Sequence, residues 1–162
     1  MSSGRPSRRW SPRQLRWLLN FYPPLFFQRI RVLAIDPGYR RALVRVNHSI
    51  LSRNLQGSTF GGTIYAAVDP FHALLLWQIC AQEGLRVQAW MKQAVVDFIR
   101  PAESHLTIEF ILDEPTVERM LRAVREDDRF AHVFQIEAKD EQGVACAVVK
   151  TDIRIIRPTA AR

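Results

Sequence analysis

Two adjacent glycines, Gly61 and Gly62, open an apolar segment that carries a carboxylate at Asp69 with Pro70 directly behind it. If the segment is a helix, its first N–H groups lack intrahelical acceptors and, with the helix dipole, favour negative charge. Glycine also lets a ligand carbonyl approach such amides closely. A carboxylate on the same element could serve as a general base or a nucleophile. Together these are the minimum equipment for hydrolysing an activated acyl group: amide donors for an oxyanion, and an acid.

Asp69 is costly where it stands. A carboxylate among apolar neighbours needs hydrogen bonds, and burial pushes its pKa upward. Pro70 removes a backbone donor and deprives the Ala66 carbonyl of its usual partner, at roughly 3 kcal/mol in a helix interior. Capping is the structural alternative: Asp-Pro makes a good N-cap and first-position pair, so Asp69 could restart a kinked helix. Residue types alone leave both roles open, and two glycines followed by an acid make a weak motif.

The elements that would hold these residues follow from periodicity. Ser11–Pro12 predicts a helix start, with the helix running to about Asn20 and a shorter helical piece from Pro23–Pro24 to Arg29. Val32 to Asp36 and "RRALVRVN" read as strands about a "DPGY" turn; Ala42, Val44 and Val46 share one face, Arg41 and Arg45 the other. Residues 48–59 are polar loop. A helix is expected from Phe60 to about Ala81, ended by Gly84. Strands at about 87–99, "HLTIEFIL", 130–139 and 144–156 complete the chain, with a short helix after Pro115. Mostly antiparallel strands need one face covered, and only the 60–81 helix is apolar enough to do so. The expected architecture is α+β: a sheet wrapped around one long central helix, with an extra N-terminal helix.

At 162 residues, 48% hydrophobic and 24% charged, the chain suits a single globular domain. No apolar run approaches the roughly 18–20 residues that span a bilayer. Cys80 and Cys146 lack any CxxC or Cys/His setting, so free thiols, a cytoplasmic location and no metal site are expected. The net charge of +7 sits in residues 1–31, which hold seven arginines and no acid, leaving 16 bases against 16 acids elsewhere. Residues 1–20 are therefore read as a basic arm, 21–158 as the domain and 159–162 as a tail. A solvated arm and a weak membrane-surface contact both fit, because Trp10, Leu15, Trp17, Leu18 and Leu19 interleave with the arginines. Nucleic acid is not expected, since no basic stripe continues into the domain. The acid-free start also has the composition of an organelle transit peptide, but the apolar run from Phe21 joins the domain too directly to be discarded.

The segment "NLQGSTFGGTIYAAVDPF" resembles the core of hotdog-fold proteins of the acyl-CoA thioesterase type, closest to a PaaI-like, tetrameric bacterial branch with a similar "N…G…FGG…Y…DPF" pattern. The similarity continues through "YPPLFFQRIRVLAIDPGYRRALVRV" and "DFIRPAESHLTIEFIL", covering roughly Phe21 to Arg157. The resemblance implies that Asp69 activates water or attacks the thioester, that the Gly61 N–H polarises its carbonyl with Gly62 supporting the turn, and that Asn54 lines the site. Thr59 and Phe60 stand beside the glycines as substrate contacts, but characterised relatives usually carry His where this chain has Phe60. The resemblance further implies a homodimer or homotetramer whose site is shared between chains, an acyl-CoA or acyl-carrier thioester as substrate, and no cofactor beyond the coenzyme A of that substrate.

Other residues carry weaker signals. His72 lies three residues after Asp69 and could share its face as a substrate contact, against the commoner hydrogen-bonded core histidine. His48 reads as surface. Lys92 and Arg100 flank a strand where they could meet phosphates or simply solvent. Tyr65, Phe71 and Trp77 read as packing. The alternative to an enzyme is a non-catalytic acyl-CoA or lipid-binding hotdog protein, favoured by Phe60; a dehydratase would need a His paired with an acid.

Overall fold

In the computed structural model of the chain, residues 8–158 are described; the expected tail and the first seven residues lie outside them. Helix α1 (Pro12–Phe21) starts with a reciprocal cap. The Ser11 Oγ accepts from the Gln14 N–H at 3.2 Å and the Gln14 side chain accepts from the Ser11 N–H at 3.0 Å. A single turn, α2 (Pro23–Phe26), leads into β1 (Ile30–Ile35) and β2 (Arg41–Val46). The segment after the loop forms two helical pieces, α3 (Gly61–Val68) and α4 (Phe71–Gln82). Gly84, at φ +72°, closes α4 as its position after the apolar run predicts. Strands β3 (Gln88–Phe98) and β4 (Leu106–Ile111) follow, then α5 (Glu114–Glu126), capped by Asp113, and β5 (Arg129–Lys139) and β6 (Ala145–Ile156).

The strands form one antiparallel sheet in the order β1-β2-β4-β5-β6-β3. Alternation sets its inner face: Ala42, Val44 and Val46 of β2 and Leu106, Ile108 and Phe110 of β4 are fully buried. The sheet wraps α3–α4, whose Ile64, Ala67, Phe71, Leu75, Leu76 and Ile79 join the same core. β4 and β5 pair only at Thr107↔Lys139 and Ile108↔Ala138, and α5 is inserted between them in the chain.

Two expectations need correction. Counted as one helix, Gly61–Gln82 is 22 residues long with mean hydropathy 1.3, so it is long and apolar enough to cross a membrane. Scattered Thr63, His72 and Gln78 hide this from a search for an unbroken apolar run. Two thirds of its most apolar window (67%) is buried in the structure, as befits the helix the sheet encloses. Residues 8–20 are also no separate arm. Leu15 and Leu19 are buried in the core, the Trp10 N–H donates to Gln78 Oε1 at 3.0 Å, and Arg9 Nε donates to the Ala81 carbonyl at 2.8 Å. Asn20 exchanges two hydrogen bonds with the Val32 backbone. The density of arginines masks the Leu15/Leu19 stripe that docks the helix.

Candidate active site

Phe60 holds extended backbone (φ −61°, ψ 128°) and supplies no side-chain cap to α3. The Thr63 and Ile64 N–H groups both turn to the Phe60 carbonyl, and no acceptor among the described residues meets the N–H of Gly61 or Gly62. Two donors are left open at the positive end of a helix dipole. Aromatic rings stand over them: a Cβ built on Gly61 would lie 3.0 Å from the Phe98 ring, and one on Gly62 would lie 2.5 Å from Phe60. Glycine is needed at both positions for those rings to close in. A pocket of about 390 Å³ opens beside Gly61, lined by Asn54, Thr59, Ile64, Phe98, Arg100 and Ala102 among others.

Asn54 and Thr59 shape this pocket from behind. The Asn54 Oδ1 accepts from the Gln56 and Ser58 N–H groups and its Nδ2 donates to Ser58 Oγ, so its side chain is used in closing the 54–58 turn. Thr59 is buried, with its N–H on the Ala102 carbonyl and its Oγ1 3.3 Å from His48 Nδ1. His48 is thus not the plain surface residue expected: its N–H also takes His105 Nδ1 at 2.9 Å.

Asp69 sits at the joint between α3 and α4. Its backbone (φ −53°, ψ −55°) and that of Pro70 (φ −85°, ψ −23°) both stay right-handed helical, and α4 has no side-chain cap. An N-cap needs an extended residue, so the capping role expected for Asp69 is not realised. The carboxylate has no hydrogen-bond or ion-pair partner among the described residues. It lines a pocket of about 400 Å³ with Leu19, Tyr22, Trp77, Trp90 and Met91. Desolvation among these apolar groups raises its pKa above the ordinary aspartate value, the direction that suits a proton acceptor.

Within one chain the acid and the amides do not converge. Eight helical residues place Gly61 and Asp69 about 12 Å apart along the axis, and they line different pockets. Both pockets abut the same edge strand, however. Phe98, at the C-terminal end of β3, covers Gly61, while Trp90 and Met91, at its N-terminal end, line the Asp69 pocket.

His72 is not at either site, which corrects its expected place among the substrate contacts. It is 1% exposed, its Nδ1 lies 3.2 Å from Thr151 Oγ1, and its ring stacks on Phe134 at 4.1 Å and meets the edge of Phe110 at 5.0 Å. Phe110 belongs to β4 and Phe134 to β5, so the imidazole fills the inner face where those strands part. Burial, with His132 nearby, pushes its pKa down to about 3, and it is a neutral core group. Phe71 is likewise core, whereas Trp77 reaches the acid's pocket. Phe98, Trp90 and Met91 escaped the sequence reading, because nothing local in a strand tells which residue will stand over a distant helix.

A profile of the DUF4442 family, a domain of unknown function, matches residues 12–156. The chain belongs to the DUF4442 family. A search of curated proteins finds no match. Among solved structures, this DUF4442 chain is similar to PA5026 of Pseudomonas aeruginosa, a protein of unknown function described as a probable thioesterase. That likeness has a TM-score of 0.79 at 17% identity over 93% of this chain and 99% of that one. Thioesterase HI1161 of Haemophilus influenzae gives 0.66 at 15% identity, covering 93% and 94%. The Escherichia coli PaaI protein of the phenylacetic acid degradation operon gives 0.57 at 16%, covering 92% and 94%. At these identities the likeness establishes the fold, and the DUF4442 chain is a hotdog protein with an added N-terminal helix. The family match also begins at residue 12, inside the 1–20 segment that its charge sets apart as an arm.

Proposed function

We propose that this protein hydrolyses an acyl thioester, with acyl-CoA or an acyl carrier as substrate, at a site shared by two copies of the chain. The observation that carries the reading is the placement of two open amides and one unpartnered carboxylate at opposite ends of the edge strand β3. Among the described residues β3 pairs only with β6, and its other edge runs for 11 residues with Trp90, Val95 and Phe98 exposed. Such an edge invites a further strand. Antiparallel pairing of two β3 strands about a two-fold at Val95, with the bulge between Met91 and Gln93 counted, sets Phe98 of one chain against Met91 of the partner subunit. One chain's glycine amides then face the other's acid, and a homodimer is the smallest complete unit.

The chemistry balances without a further group. Asp69 accepts a proton from water as the oxygen attacks the thioester carbonyl carbon, and the Gly61 and Gly62 N–H groups hold the oxyanion. Collapse breaks the C–S bond, and the departing thiolate takes up the proton from Asp69, leaving a carboxylic acid and a thiol. The half-exposed phenyl rings of Phe60 and Phe98 stand against the two glycines, where they would meet a bound acyl chain. Arg100, at the mouth of the Gly61 pocket, is the cation best placed for a coenzyme phosphate, in exchange for its present partner Asp140.

The same rings favour a second reading. Phe60 and Phe98 supply no polar group to orient a substrate, as expected of a protein that binds acyl-CoA without turning it over. Thiol release from short-, medium-, long-chain and aromatic acyl-CoAs separates the two. The thioesterase reading expects turnover by the wild type and a fall of ~10²–10⁴-fold in kcat/KM for Asp69→Asn and Asp69→Ala alike. Unchanged turnover in Asp69→Asn would refute it, and tight binding without turnover by the wild type would establish the binding module.

A further inference from the structure

The outer side of α1 and α2 carries apolar surface that nothing among the described residues covers. Leu15 and Leu19 face inward, yet Trp17, Leu18, Phe21, Tyr22 and Phe27 are 46–67% exposed. Trp17 and Phe21 stack at 5.3 Å, and a groove of about 560 Å³ runs beside them, walled almost wholly by carbon from Trp10, Leu18, Tyr22 and Pro23. Arg13 lines this groove, Arg8 lies over the Trp10 ring and Arg31 over the Phe26 ring; Arg9, Arg16 and Arg29 belong to the same stretch of sequence, in which no acid occurs before Asp36. None of the six enters an ion pair among the described residues; the interactions present are with neutral groups, such as Arg16 Nη1 to the Leu33 carbonyl and Arg8 over the Trp10 ring.

We propose that this face docks on an anionic lipid bilayer, with α1 lying in the plane of the interface. Tryptophan and tyrosine are the side chains that favour the headgroup layer, leucine and phenylalanine reach below it, and a segment rich in arginines that form no ion pair complements lipid phosphates. A second copy fits less well, since a two-fold contact would bring each arginine cluster against its own image. Nucleic acid would leave Trp17, Leu18 and Phe21 against phosphates with no apolar group to meet them. Tyr22 lines both this groove and the Asp69 pocket, so a lipophilic acyl group has a path from the bilayer to the acid. That last consequence rests on the thioesterase reading; the docking does not.

Vesicle flotation of the full chain tests it without any turnover assay. The wild type is expected to float with phosphatidylcholine vesicles containing phosphatidylglycerol and far less with phosphatidylcholine alone. Trp17→Gln/Phe21→Gln should lower the partition coefficient at least ~10-fold. Arg13→Gln/Arg16→Gln should lower it by a similar ~10-fold or more on anionic vesicles only. All four side chains are exposed, so melting temperature and solution mass should stay those of the wild type. Absence of flotation with the anionic vesicles, or undiminished flotation of the Trp17/Phe21 variant, would overturn the proposal. A lower solution mass for that variant would overturn it too, giving the face to a second copy.

Discussion

At Asp69 an acid is kept without a cap to make, an ion pair to join or a hydrogen bond to accept, among Tyr22, Trp77, Trp90 and Met91. Because its pKa is raised and the ionised form would be the proposed base, kcat/KM should fall as pH drops through that raised value, above the ordinary aspartate one. A pH–rate profile checks this. His72 gives the opposite kind of effect, on stability. Its folded pKa of about 3 lies below the unfolded value near 6.5, so only the unfolded chain takes up the proton between them. Stability from the neutral imidazole is full above pH 6.5 and declines by up to about 1.4 kcal/mol per unit as pH falls toward 3. Urea unfolding across that range should show this slope, flattened in His72→Leu. Both residues were visible in the sequence as oddities on an apolar helix. Their separate fates were not, because a kink of two residues decides which side chain faces a pocket and which faces the sheet.

Among the elements, the α3–α4 joint and β3 matter most. Pro70 costs the helix a donor but keeps helical dihedrals, so Pro70→Ala can restore the bond to the Ala66 carbonyl. Unfolding free energy should rise by about 1–2 kcal/mol after the loss of proline's restraint on the unfolded chain. Turnover should fall at least ~10-fold as Asp69 shifts; a chemical-denaturation curve and an activity assay give both numbers. The strands were legible to within a residue or two, since Leu106, Ile108 and Phe110 or Ala42, Val44 and Val46 alternate cleanly, whereas the second helical piece ends at Phe26, short of the expected Arg29. The break at Asp69–Pro70 was legible as a cost. The strand order was not: β3 at the edge, against β6, is a long-range outcome that no local pattern in residues 88–98 encodes.

For the whole molecule, the distribution of site residues implies assembly. On the proposed reading one chain holds two half-sites about 12 Å apart, and a two-fold along β3 would join halves from different chains. Val95, exposed near the proposed axis, would face its own image there. Val95→Glu should therefore bring two carboxylates together and shift the solution mass toward one chain, with activity lost in parallel; light scattering after gel filtration reads the mass. Sharing of the site is tested most directly by mixing two inactive proteins, Gly61→Val and Asp69→Asn, refolding them together and measuring thiol release from an acyl-CoA. Each mixed dimer would hold one intact pair, the glycine from one chain and the acid from the other, so a random mixture should recover about a quarter of wild-type turnover. A mixture as inactive as its parents would contradict a site built across two chains.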